Sequence, residues 1–198
     1  LLTPDRGTAL VHGVDVWQET DRARGLLGVM PDGMRLLDRL SGPDFLVHVA
    51  MLRGLDTDTA RERSQELLTA LDLAEAGKKL IADYSAGMTK KIALAGALIH
   101  SPRVLVLDEP FEAVDPVSAA NIRQILMDYT KRGGTVILSS HVMATVQQLC
   151  SHVAIIDKGR VLVAGTTDEV AQGGDLGERF TSLVGGVHAE EGLSWLGN

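Results

Sequence analysis

Two adjacent carboxylates, Asp108 and Glu109, close the aliphatic run Val104-Leu105-Val106-Leu107 and precede Pro110. Acids just past the carboxyl end of a buried strand stand where open α/β sheets bind their ligands. There Asp108 can hold Mg²⁺, a hard cation that takes oxygen ligands, and Glu109 can orient or deprotonate a water. The same residues also read as two solvated acids at a strand end. A second group is Tyr84-Ser85-Ala86-Gly87-Met88, ahead of an amphipathic stretch. A hydroxyl and a glycine at a helix N-terminus gather a donor, free N–H groups and the positive dipole end, which makes an anion site. An ordinary serine N-cap accounts for Ser85 as well. Past Glu109, Asp115-Pro116 reads as an N-cap with proline at the first helical position, whatever else it does. Ser139-Ser140-His141 follows a second aliphatic run. An imidazole there either donates to a terminal phosphate or is an incidental surface residue.

The elements that must position these residues follow from pattern. Val104–Leu107 is a continuous apolar run, as for a parallel strand buried on both faces. Thr135–Leu138 reads as a second buried strand. Between them, Ile122, Ile125, Leu126 and Tyr129 form one helical stripe, ended by Gly133-Gly134. Residues 41–100 read as helical throughout. Ser41 and Asp44 suggest a capping box ahead of Phe45, Leu46, Val49 and Ala50. Ala60, Ser64, Leu67, Leu68 and Leu71 share a face, and so do Met88, Ile92, Ala95 and Ile99, with Lys90 and Lys91 pointing elsewhere. The first forty residues read as short strands and turns, with a tight turn at His12-Gly13 and a strand at 26–30 stopped by Pro31-Asp32-Gly33. Past His141, residues 142–150 read as helix and 153–164 as a hairpin, with Thr167 capping a short helix. From Gly173 the tail is glycine-rich and carries no assignment. Alternating strands and helices predict an α/β sheet, and the stretch from 41 to 100 is long enough to be an inserted helical subdomain.

Composition narrows the classes. The chain has 198 residues, 19 basic against 26 acidic, and a net charge of −7, which argues against a nucleic-acid binder working through a broad basic face. Nothing in that balance opposes ATP, whose phosphates are held by backbone N–H groups and one or two cations. Cys150 is the lone cysteine, so no internal disulfide forms. No apolar run approaches the ~20 residues of a membrane helix.

In order and spacing, Ser85-Ala86-Gly87-Met88, then Leu105–Pro110, then Asp115-Pro116, then His141 resemble the signature motif, Walker B, D-loop and switch histidine of ABC ATPases. The stretch Ala93–Pro102 matches closely, and the likeness covers residues 1 to about 170. The resemblance implies a P-loop NTPase-like (RecA-like) parallel sheet carrying a helical subdomain, over residues 1–172, with 173–198 as a tail. It implies an ATP-hydrolysing subunit that uses ATP and Mg²⁺, at the cytoplasmic face of a cell membrane. Its partners would be a permease chain, contacted by the helical subdomain, and a second ATP-binding subunit arranged head to tail. Glu109 and His141 would be catalytic, Asp108 would act on Mg²⁺, and Ser85, Ala86, Gly87, Met88 and Asp115 would serve the nucleotide across the dimer. The Tyr-Ser-x-Gly-Met form and the tail look like drug-efflux subunits. Soluble ABC proteins of ribosomes or DNA, with tandem units or long coiled coils, fit the sequence less well.

Departures from the family pattern matter equally. No G-x-x-x-x-G-K-[ST] occurs, and Gly77-Lys78 has Asp72 where the first glycine belongs. The resemblance places that loop just upstream of Leu1 and implies that about 40–50 residues, with the loop's strand and helix, are missing there. The 198-residue fragment is then expected to be inactive alone. Asp32 stands where the family has glutamine, and an acid there can reach Mg²⁺ directly or through water. Ala86 replaces a glycine and Val114 a leucine.

Overall fold

The computed structural model describes residues 3–185. The chain divides into two compact units, at Ser139/Ser140.

The first unit opens with a hairpin of β1 (Leu10–Val11) and β2 (Val14–Asp15) around the left-handed pair His12 and Gly13. Helix α1 (Thr20–Leu26) follows. The sequence reading put only strands and turns here. The helix exists because Ala23 packs against Val14 and Val16 in a small cluster of its own, with no side-chain cap at Glu19 to announce it. Strand β3 (Leu27–Met30) then begins a parallel sheet with β4 (Val104–Leu107) and β5 (Thr135–Leu138), in the order β3-β4-β5. Inserted between β3 and β4 are α2 (Gly42–Leu52), α3 (Thr57–Ala70) and α4 (Ala86–Leu98). Helix α5 (Pro116–Lys131) connects β4 to β5.

Local chemistry sets these boundaries. Ser41 caps α2, its Oγ accepting from the Asp44 N–H and donating to the Asp44 carboxylate at 2.5 Å. Asp56 caps α3 through the Asp58 and Thr59 N–H groups. Asp115 caps α5, with Pro116 at the first position where its missing N–H costs nothing. The expected stripes are the buried ones: Ala60, Ser64 and Leu68 on α3, Ile92 and Ala95 on α4, Ile122 and Leu126 on α5. With Met30, Leu105 and Leu107 the apolar members of these stripes belong to the main core.

Gly28 fixes how α4 meets the sheet. A Cβ there would lie 2.2 Å from the Ala97 carbonyl oxygen, 2.8 Å from Leu105 Cδ2 and 2.9 Å from Pro102 Cγ. The other face of the sheet differs. Val29, Val106 and Ile137 stand side by side in register across the three strands. Val29 is 44% exposed and Ile137 58%. The expectation of a second buried strand is corrected: among the described residues β5 pairs with β4 alone and packs on α5, and its residues alternate between exposed and half-buried.

His100 joins the end of the helical insertion to the sheet. Its Nε2 lies 3.0 Å from the Leu27 carbonyl, so this nitrogen carries the proton and donates. Nδ1 is buried with no hydrogen-bond partner among the described residues. Burial, and then the Arg53 charge, hold the ring below its ordinary pKa. As pH falls through about 6.5, the unfolded chain takes up a proton that the native ring resists. Stability therefore drops with acidification below neutrality. Urea midpoints at pH 7.5 and 5.5 should differ less in His100→Gln than in the natural chain, and equal slopes would rule His100 out.

The second unit contains α6 (Met143–Leu149), the hairpin of β6 (His152–Asp157) and β7 (Arg160–Thr166), α7 (Thr167–Ala171) and α8 (Leu176–Val184). Its core is Ile155, Val170, Ala171 and Leu176, with Phe180, Leu183 and Val184 packed on them. Two expectations change. Thr166, not Thr167, caps α7, because Glu169 three residues on returns the capping-box hydrogen bond. The tail assigned no structure carries α8, capped by Asp175 directly after the glycines. The last part of that tail, residues 186–198, lies outside the described residues.

Candidate nucleotide site

Three stretches meet at the carboxyl end of the parallel sheet. Asp108 follows β4, Asp32 follows β3, and Ser139 follows β5. The Asp32 N–H points to Asp108 Oδ2 at 3.4 Å. The Ser139 hydroxyl donates to Asp108 Oδ1 at 2.5 Å and accepts from the Glu109 N–H at 3.0 Å. Parallel register produces this meeting, since Met30, Leu107 and Leu138 end their strands level with one another. Asp108 is exposed and Glu109 half-buried.

Glu109 sits at φ +45°, a left-handed conformation unusual for a residue with a side chain. Both of its backbone polar groups are tied. Ser139 takes the N–H, while the carbonyl accepts from Lys90 Nζ at 2.9 Å and from the Glu112 N–H at 3.2 Å.

Lys90 also forms an ion pair with Asp32 Oδ1 at 2.9 Å. That hydrogen bond holds the Asp32 carboxyl below the usual carboxylate range. Lys90 and Lys91, expected off the face of Met88, Ile92, Ala95 and Ile99, are not left to solvent. Lys90 turns into this cluster with only 18% of its side chain exposed, and Lys91 is itself buried. The missed signal was positional: Lys90 is three residues after Gly87 and so shares its helical face. Ser139 enters the site through its hydroxyl, a role that its place beside His141 in the sequence does not signal.

One turn earlier on α4 is the second set. Ser85 caps the helix, its Oγ accepting from the Met88 N–H at 3.2 Å, which leaves the hydroxyl proton for another acceptor. Ala86 is exposed in the first turn, and Met88 packs its side chain on the main core. Gly87 faces Asp115: a Cβ on it would come within 3.4 Å of Asp115 Oδ2 and 3.8 Å of Ser118 Oγ. The Asp115 carboxyl is held below its usual range by the Ser118 N–H first, then the Ser118 hydroxyl. Helix α4 thus carries Gly87 against Asp115 and Lys90 against the acids. His141 lies between β5 and α6, exposed, in the second unit.

Among the described residues no three His, Cys, Asp or Glu gather as a metal cage. None of the helices is long and apolar enough to cross a membrane, again among the described residues.

Residues 1–112, more than half the chain, match the family model described as "ABC transporter". The chain belongs to that family. Family relatives include the daunorubicin/doxorubicin resistance ATP-binding protein DrrA of Streptomyces peucetius, 36% identical over 86% of this chain and 52% of that protein. Another is the linearmycin resistance ATP-binding protein LnrL of Bacillus subtilis (strain 168), 33% identical over 88% of this chain and 57% of its own. The chain thus spans about half the length of these curated relatives. A solved ATP-binding subunit of an ABC transporter superposes with a TM-score of 0.84 at 26% identity, over 92% of this chain and 78% of that one. A Clostridium perfringens ABC subunit, cbiO1, gives 0.73 at 27% identity, over 87% and 70%. The α/β architecture with its parallel sheet and helical insertion is that of ABC ATPase domains.

Proposed function

We propose that the chain is the ATP-hydrolysing part of an ABC exporter's ATP-binding subunit. It drives a separate permease from the cytoplasmic face of the membrane, as one of two such subunits. The observation that carries this reading is the placement of Asp108 and Glu109 at the end of β4, with the capped tip of α4 turning Gly87 toward Asp115. The drug-resistance relatives support export over import.

The residues fit Mg²⁺. Asp108 offers carboxylate oxygens at an exposed strand end, and Mg²⁺ typically takes one or two carboxylates plus phosphate oxygens and waters rather than a full protein cage. When bound, the ion neutralises charge on the phosphates. The chain's own residues do the rest. Glu109 orients the attacking water and accepts its proton as the γ-phosphorus–oxygen bond to ADP breaks. His141 donates a hydrogen bond to the γ-phosphate. Ser85 and the N–H groups around Gly87 reach the γ-phosphate of the ATP held by the partner subunit, and Asp115 links the two sites.

The loop that cradles the phosphates is not among the 198 residues. Calorimetry on this chain should give no micromolar ATP binding. A form carrying a phosphate loop ahead of Leu1 should bind ATP and hydrolyse it only with Mg²⁺. Binding without hydrolysis in that form would refute the reading.

A further inference from the structure

We propose that Lys90 is a positioning residue that latches α4 to two strand ends, and that Asp32 is the latch's counter-charge, not a metal ligand. The proposal rests on the ATPase reading above for its purpose and on the geometry for its existence.

One ammonium bridges two segments from different strands. Lys90 Nζ lies 2.9 Å from Asp32 Oδ1, after β3, and 2.9 Å from the Glu109 carbonyl, after β4. These partners are 58 and 19 residues away in sequence, so the contacts exist only in the folded arrangement. The Asp32 carboxylate is 47% exposed, and ion pairs of that kind add little to stability. Their value here is geometric.

Glu109 shows what is being positioned. Its left-handed backbone is unfavourable for a residue with a Cβ, and such residues persist only where their surroundings over-determine them. Ser139 holds its N–H and Lys90 its carbonyl. Peptide orientation at Glu109 sets where its carboxylate starts from. Lys90 shares a helix with Gly87, so the same contact ties the nucleotide-facing tip of α4 to the water-activating acid. Oxygen Oδ1 of Asp32 accepts from the ammonium, which sets this acid apart from a glutamine at the same place: a neutral amide offers no counter-charge to Lys90.

Hydrogen exchange on the 198-residue chain tests the latch without nucleotide. Lys90→Met should speed exchange by about tenfold in peptides covering Met30–Gly33 and Asp108–Phe111, while β4 amides keep their protection. Lys90→Arg should restore the natural pattern, and Asp32→Asn should reproduce the loosening. Unchanged exchange in Lys90→Met, or a uniform rise that includes β4, overturns the proposal. In the loop-bearing form, Lys90→Met and Asp32→Asn should lower kcat alike and leave the Mg²⁺ requirement unaltered. A raised Mg²⁺ requirement in Asp32→Asn alone makes Asp32 a ligand and overturns it too. If the unsubstituted loop-bearing form does not turn over, the ATPase reading fails, and the exchange result still decides the latch.

Discussion

Glu109→Gln, in a form of the chain that carries a phosphate loop, should lower ATP turnover by about 10²–10⁴-fold, the range expected for losing a general base. The amide keeps the shape of the carboxylate but accepts no proton at neutral pH. The local backbone should survive the change, because Glu109 is held through its N–H and carbonyl by Ser139 and Lys90. ATP affinity should therefore stay near that of the natural residue, and the defect should fall on kcat. Steady-state hydrolysis beside equilibrium binding separates the two. Turnover within a few-fold of the unsubstituted protein would mean that another group takes the proton. Glu109→Ala should be as slow as Glu109→Gln. If alanine were much the worse of the two, the side chain would act mainly by orienting water.

The largest stability loss is expected from Gly28→Ala. The added methyl meets the Ala97 backbone oxygen at 2.2 Å, and a helix carbonyl cannot swing aside as a long side chain can. Leu105 and Pro102 close the other directions. Either α4 lifts from β3 or the strand bows away from β4, and both disturb the main core. A cost of about 3 kcal/mol is expected, the upper end for overpacking a filled core. Gly25→Ala is the control: nothing lies within 4 Å of its Cβ position, and it sits in α1, where alanine favours the helix. Chemical denaturation of the two variants should move the midpoint down strongly for Gly28 and little, or upward, for Gly25. Equal shifts would show that the crowding at Gly28 is relieved cheaply.

What the sequence disclosed and what it withheld divide by the range of the interactions. Ser41, Ser85 and Asp115 were legible as caps because each bonds residues two or three positions ahead. Strand β4 was legible from four consecutive aliphatics, and the stripes of α3 and α5 from their period. Family likeness added roles to Asp108, Glu109 and His141 that composition could not. The role of Lys90 was not legible, because the sequence places it only off the face of Met88 and Ile92, and its partners are set by the register of β3 against β4. Ser139 reaches Asp108 across 31 residues for the same reason. Helix α1 escaped notice because its stability comes from one small cluster of contacts, with neither a cap nor length to signal it. Strand β5 read as buried because hydropathy reports side-chain type and not how many of its faces are covered.

The row Val29–Val106–Ile137 has a practical consequence for anyone handling this chain. It is an apolar strip on a sheet whose outer strands, among the described residues, have no further neighbour. Such a strip draws solvatochromic dyes, holdase chaperones and other copies of the same molecule. In the 198-residue chain this row favours self-association, and Ile137→Thr should reduce it, as light scattering at rising concentration would show.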